Sequence, residues 1–319
     1  MKKIYITRKI DDQVIDQLRK QFDVQVWNKE DQAVPKEELL HQVKDSHALL
    51  TMLSDRVDQE VFEEAPHLEV VANLAVGYDN IDLDAAKKAG VTVTNTPDVL
   101  TDTTADLTFS LIMAVGRRIT EAAEYVKEGK WTSWSPYLLA GTDIHHKTIG
   151  IIGMGSIGQA VAQRAKGFDM DVLYHTRSRK PEAEQRFNAK HVSLEDLLKE
   201  SDYVVMLAPF TEETKQMMGE KEFRLMKKSA YFVNAGRGTT VDEQALIEAL
   251  QNGEIAGAAL DVFEKEPISA DHPLLAMKNV VAIPHIGSAS RETRLIMMKL
   301  AADNIAAVLQ GKEALTEVK

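Results

Sequence analysis

IGIIGMGSIG, residues 149–158, decides how the chain folds. Its first residues form a short apolar strand, and Gly153, Gly155 and Gly158 follow at G-x-G-x-x-G spacing before the helical pattern QAVAQRAKGF. Each glycine answers a separate geometric demand: a tight turn, close approach of backbone to a pyrophosphate, and close packing of helix on strand. The helix start then offers unbonded N–H groups and the positive end of its dipole to phosphate. Such spacing arises by chance, but the flanking strand and helix and the further strand MDVLYH about twenty residues on make it a dinucleotide site. Gly153, Met154, Gly155, Ser156, Ile157 and Gly158 would line it. No Lys-Ser or Lys-Thr follows the glycines, which argues against a phosphate-loop NTPase.

The second strand of such a unit ends beside the adenosine ribose, where NAD-specific sites place an acid. Here the stretch is LYHTRSRKPE, residues 173–182, with no carboxylate at its turn. Thr176, Arg177, Ser178 and Arg179 offer donors and positive charge instead, which suits the 2′-phosphate of NADP. The expectation is a preference for NADPH, with NAD possible. A solvated basic turn is the plainer alternative.

Working outward, 319 residues exceed the usual size of one core, so two domains are expected. Short apolar runs alternate with amphipathic stretches, the rhythm of parallel sheets covered by helices, so the class is α/β. Strands are expected at KIYIT, DVQVW, HALLTML, LEVVANLAV and VTVTN, with helical patterns such as PKEELLHQVKDS and DLDAAKKAG between them. One long connecting helix is expected over residues 101–131. A second series of strands follows at KTIGII, MDVLYH, DYVVMLAP, AYFVNAG, IAGAALDVF and VVAIPH, and a final helix at 289–311. That helix has two possible homes on periodicity alone, the second sheet or the first.

Composition narrows the chemistry. With no cysteine, disulfides, thiolate catalysis and cysteine zinc sites are excluded. A net charge of −11 argues against nucleic acid as a partner. No apolar run reaches the roughly 18 residues of a membrane span and none resembles a signal peptide, so no membrane partner and a cytoplasmic location are expected. The adjacent His145 and His146 lack an acidic partner at ligand spacing, and no metal site is expected.

Three pieces at expected strand ends carry chemistry: NAGRG with Arg237, LDVFEKEP with Glu266, and AIPHIG with His285. Singly they read as a loop arginine, a solvated acid and a turn histidine. Together they match hydride transfer to a 2-oxo acid. An arginine can hold carbonyl or carboxylate oxygens by paired hydrogen bonds. A histidine can give the proton in reduction and take it in oxidation, and an adjacent glutamate fixes its tautomer and favours its protonated form.

With these residues in view, the chain resembles the D-isomer-specific 2-hydroxyacid dehydrogenases, and within them the glyoxylate and hydroxypyruvate reductases. The likeness runs through VANLAVGYDNIDL, TTADLTFSLIMAVGRRI, GKWTSWSP, HKTIGIIGMGSIGQAVAQRAKGF, NAGRGTTVDEQAL, GAALDVFEKEP and HPLLAMKNVVAIPHIGSASRETR, nearly the whole chain. It implies that Arg237 is the substrate arginine, Glu266 the carboxylate partner and His285 the acid–base histidine. It implies that N–H groups at Val76 and Gly77 hold the substrate carboxylate. Cofactor contacts are implied at Thr104, Pro209, Ala235, Asp261, His285 and Gly287. It further implies a nucleotide domain (100–286) inserted in a flavodoxin-like substrate domain (1–99 and 287–319), an active site between them closed by a hinge, and a homodimer in which Trp134 reaches the partner's pocket or simply packs at the interface. One departure stands out: Ala235-Gly236 occupies the place where the family often has Ser or Thr-Ala, and a glycine there is expected to loosen the backbone beside Arg237.

Other readings remain at this level. A 2-ketogluconate reductase would use the same catalytic residues. Phosphoglycerate dehydrogenase is disfavoured by the basic turn and the missing regulatory extension, and formate dehydrogenase by the acid–base histidine. A nucleotide-sensing binding protein, such as a corepressor built on this fold, is the alternative from another class.

Overall fold

The computed structural model describes residues 1–318. Its contacts divide the chain into two units: Met1–Leu100 together with the residues from Ala289 on, and Thr101–Ser288.

In the first unit five strands alternate with helices: β1 (Lys3–Ile6), α1 (Asp12–Arg19), β2 (Asp23–Val26), α2 (Lys36–Val43), β3 (Ala48–Thr51), α3 (Gln59–Glu63), β4 (Val70–Asn73), α4 (Leu83–Ala89) and β5 (Thr92–Thr94). The sheet is parallel with order β2-β1-β3-β4-β5, a doubly wound arrangement. β3 and β4 are buried along their whole length, which is why their sequences run apolar instead of alternating. Capping follows local chemistry: Asp11 accepts from the Gln13 N–H and Asp82 from the Ala85 N–H, while Gly90 closes α4 in the left-handed conformation.

The second unit begins with α5 (Thr101–Gly116) and α6 (Ile119–Lys127). It continues through β6 (Thr148–Ile152), α7 (Ser156–Lys166), β7 (Asp171–His175), α8 (Pro181–Phe187), β8 (Lys190–His191), α9 (Leu194–Glu200), β9 (Tyr203–Met206), α10 (Glu220–Leu225), β10 (Tyr231–Asn234), α11 (Glu243–Gln251), β11 (Gly257–Leu260) and β12 (Val280–Ala282). Its seven strands lie in the order β12-β11-β10-β9-β6-β7-β8, all parallel. The order reverses between β6 and β9, the switch point where such folds bind ligands. Apolar layers cover both faces: α5 and α7 meet one and α9, α10 and α11 the other. Two doubly wound parallel sheets are the expected class.

The single helix expected over 101–131 is two helices instead. Arg118 adopts the left-handed conformation at φ 53°, and the Gly116 carbonyl accepts the Thr142 N–H at 2.8 Å, so the helical ladder is broken where a distant loop supplies a competing donor. The terminal helix α12 (Arg291–Leu309) is capped by the Ser290 side chain and packs on β3, β4, β5 and α1 of the first unit. Among the described residues no helix is long and apolar enough to cross a membrane.

Candidate active site

The glycine loop follows β6 at the switch point. Gly153 sits at φ +102°, a conformation that only glycine adopts readily, and an added Cβ would lie 2.6 Å from the Ala208 backbone N beyond β9. A Cβ on Gly158 would run into the Gly153 carbonyl oxygen, so that glycine lets α7 pack on the strand end. Gly155 differs: a Cβ there meets nothing within 4 Å. That open flank faces no protein atom, and α7 starts beside it without a side-chain cap. A cradle with free space and uncapped N–H groups fits a pyrophosphate.

The basic turn after β7 is divided by its partners. Arg179 makes paired bonds to Glu184, Nε to Oε1 at 2.7 Å and Nη2 to Oε2 at 2.8 Å. The Tyr174 hydroxyl donates to Glu184 at 2.7 Å and accepts the Lys180 N–H. These donors pull the Glu184 carboxyl down to about 2, with the Arg179 hydrogen bond first and Tyr174 second. Arg177, by contrast, has a side chain 84% exposed, with the exposed Glu213 carboxylate 3.6 Å away. The Thr176 carbonyl meets the His191 ring at 3.2 Å.

The catalytic candidates converge from three strand ends of the same unit. His285 stands three residues beyond β12, and its Nδ1 lies 2.7 Å from Glu266 Oε2. Glu266 Oε1 accepts the Phe263 N–H at 3.0 Å. Burial works to raise the Glu266 carboxyl, but the His285 hydrogen bond and charge, the Phe263 N–H and the Arg237 charge hold it below the usual carboxylate range. Arg237 follows β10 and caps the short 3₁₀ turn Gly238–Thr240. A Cβ on Gly238 would collide with the Phe263 carbonyl, so the arginine loop rests directly on the segment leading to Glu266.

The backbone beside Arg237 is pinned, contrary to the loosening expected from Gly236. Asn234 Oδ1 accepts the Gly236 N–H and Asn234 Nδ2 donates to the Arg237 carbonyl, both at 3.0 Å. The Thr240 hydroxyl holds the same carbonyl at 2.6 Å. The fully buried amide of Asn234 thus replaces the rigidity that a bulkier residue at 236 would supply. Sequence reasoning passed over Asn234 and Glu184; a polar residue ending the apolar strand YFVN was the available signal for the first.

Asp261, at the end of β11, is buried under the histidine. Its Oδ1 accepts the Ile286 N–H at 2.6 Å and its carbonyl the His285 N–H at 2.9 Å. Burial pushes its carboxyl up to about 6 against the pull of the Ile286 N–H, the His285 charge and the Gly287 N–H, with Glu266 adding to the rise. Gly287 packs on Asp261 and Thr104, since a Cβ there would be 3.1 Å from Asp261 Oδ2 and 3.3 Å from the Thr104 methyl. Pro209 follows β9, its carbonyl bonded by Thr214 at 2.7 Å, and Ala235 reaches back to the Met206 carbonyl at 3.3 Å. Trp134 is not drawn into this group: it is 79% exposed, in a non-helical stretch with Trp131 and Tyr137. Val76 and Gly77 belong to the other unit, in the loop after β4.

A glycine cradle at the switch point of one sheet, with a histidine–glutamate pair and an arginine at neighbouring strand ends, defines an NAD(P)-dependent oxidoreductase. The family model for the NAD-binding domain of the D-isomer-specific 2-hydroxyacid dehydrogenases matches residues 109–287. The chain belongs to that family, and it is an NAD(P)-dependent D-2-hydroxyacid dehydrogenase. It is 52% identical over 314 residues to the glyoxylate reductase of Thermococcus gammatolerans, an alignment covering 97% of this chain and 93% of that one. The glyoxylate reductase of Aeropyrum pernix is 48% identical with the same coverage. Among solved structures, the TT0316 protein of Thermus thermophilus matches with a TM-score of 0.94 and 43% identity, covering 99% of this chain and 100% of that one. An NADPH-dependent glyoxylate/hydroxypyruvate reductase of Sinorhizobium meliloti, solved with NADP and malonate, matches at 0.87 and 32% identity, covering 99% and 96%.

Proposed function

We propose that this enzyme reduces glyoxylate to glycolate, and hydroxypyruvate to its D-2-hydroxy acid, with NADPH as the preferred donor. The observation that carries the reading is the His285 Nδ1–Glu266 contact at 2.7 Å beside Arg237. With Nδ1 occupied, Nε2 is the nitrogen left to exchange a proton with substrate. A bound reduced nicotinamide would supply the hydride. His285 gives its proton to the carbonyl oxygen as negative charge develops there, and Glu266 stabilises the charged ring before transfer. Arg237 holds the substrate oxygens, and backbone N–H groups at Val76 and Gly77 receive the carboxylate. Names of relatives at about half identity support the substrate class.

For the cofactor, Gly153, Met154, Gly155, Ser156, Ile157 and Gly158 would cradle the pyrophosphate, with Thr104, Pro209, Ala235, Asp261 and Gly287 toward the nicotinamide end. Thr176, Arg177 and Ser178 would meet the 2′-phosphate, and Arg177 is the more available arginine because Arg179 is engaged by Glu184. The exposed Trp131, Trp134 and Tyr137 support a homodimer formed over that stretch. A panel of glyoxylate, hydroxypyruvate, pyruvate and 2-ketogluconate, each with NADPH and with NADH, tests the reading. Turnover of 2-ketogluconate above glyoxylate, or equal efficiency with both cofactors, would overturn the corresponding half.

A further inference from the structure

Three consecutive carbonyls after β4 are tied back into the first unit. Ala75 O accepts the Thr96 N–H at 2.8 Å, Val76 O accepts Asn95 Nδ2 at 2.9 Å, and Gly77 O accepts Asn73 Nδ2 at 2.9 Å. The peptide bonds here are trans, and a trans peptide points its N–H opposite to its C=O. The N–H groups of Val76, Gly77 and Tyr78 are therefore turned away from these anchors, and none of them donates to a carbonyl of the described residues. N–H groups left without a backbone acceptor are donors available to an anion.

The anchors are themselves held. Asn73 is fully buried at the end of an apolar strand, where an amide is costly unless it is bonded. Its Oδ1 accepts the Thr51 hydroxyl at 3.1 Å, and it faces the Asn80 amide at 3.1 Å. Asn80 Nδ2 in turn donates to the Met52 and Asp55 carbonyls at 3.1 and 3.0 Å. Asn95 is fixed through its backbone, whose carbonyl takes the Thr316 hydroxyl at 2.6 Å. The side chains of Asn73 and Asn95 thus bond loop carbonyls that no strand ladder serves.

We propose that Asn73 and Asn95 are positioning residues for the substrate carboxylate: Asn95 holds the Val76 carbonyl and Asn73 the Gly77 carbonyl, so that the N–H groups of Gly77 and Tyr78, with that of Val76, receive it. The inference rests on the reading of this enzyme as a 2-oxo-acid reductase, and it extends the carboxylate contact to Tyr78.

The test compares wild type with Asn95→Ala and with Asn95→Asp, which keeps the shape but sets a carboxylate oxygen against the Val76 carbonyl. Oxamate binding to the enzyme–NADPH complex, measured by calorimetry, is expected to weaken about five-fold or more in both variants. The KM for glyoxylate rises by a similar factor, while kcat and NADPH affinity stay within about two-fold. Oxamate affinity unchanged in both variants, or NADPH affinity lost in parallel with it, would overturn the proposal. Wild type that binds oxamate without turning over any 2-oxo acid would sink the reductase reading while leaving the carboxylate comparison intact. Wild type that does not bind oxamate at all would overturn the proposal.

Discussion

His285 Nδ1 and Glu266 Oε2 are 2.7 Å apart, and this contact assigns the two nitrogens of the ring different tasks. His285→Ala should lower kcat by about 10²- to 10⁴-fold, the range for losing a positioned acid–base group, with NADPH affinity unchanged. Steady-state rates beside a fluorescence titration of cofactor would show it. Retained turnover would remove His285 from the mechanism.

Glu266→Gln keeps the size and one acceptor but removes the negative charge that favours the protonated ring. The rate of reduction should therefore fall, with NADPH affinity unchanged, because the charged ring loses its stabilising partner. An unchanged kcat would mean that Glu266 does no more than orient the ring.

Arg177 and Arg179 should separate on mutation. Arg177→Ala is expected to weaken NADPH by about ten-fold or more, the worth of a charge-assisted contact, with NADH within about two-fold. Glu184→Gln frees Arg179 and should widen the NADPH preference. The sign in pH is fixed by the depressed Glu184 carboxyl: its stabilisation is full above about 4.5 and lost as the pH falls toward about 2. Equal effects of Arg177→Ala on both cofactors would reduce the turn to a solvated feature.

Gly155 and Gly158 give opposite outcomes for the same added methyl. Gly155→Ala meets no protein atom, so the melting temperature should hold within about 2 °C while cofactor binding weakens. Gly158→Ala drives a Cβ into the Gly153 carbonyl and should cost about 1–3 kcal/mol of stability. Intact NADPH binding in Gly155→Ala would show that the open flank is not the pyrophosphate cradle.

Asp261 works in the opposite direction to a salt-bridged acid. Its folded carboxyl titrates near 6 against 3.8 unfolded, so the folded state binds the proton more tightly and stability declines as pH rises between those values. The loss reaches up to about 3 kcal/mol and persists at neutral pH. Urea midpoints of wild type and Asp261→Asn across pH 4 to 7 should diverge in the variant's favour as pH rises. Parallel curves would show that Asp261 is ionised without penalty.

Much of this was legible in the sequence because it is local. The glycine spacing, the apolar runs of the parallel strands and the chemistry at Arg237, Glu266 and His285 each lie within a few residues of the signal that reveals them. What escaped depends on partners distant in the chain. The break after Gly116 needs the Thr142 N–H, and the rigidity beside Arg237 needs the Asn234 amide folded back over Gly236. Periodicity predicts a single connecting helix because it cannot register a competing donor twenty-six residues on. The division of labour between Arg177 and Arg179 turns on Glu184, an acid that composition alone counts as one more solvated charge.

His285 occupies backbone at φ +50°, the left-handed region where a side chain is strained by about 1 kcal/mol or more and glycine is at ease. Two carbonyls, Asp261 O and Ile283 O, hold its N–H in that posture. Selection for a sturdier fold and selection for turnover therefore pull this one position in opposite directions. A screen for heat resistance without a demand for activity should drift there toward glycine, and a residue retained against that drift marks where the protein's work is done.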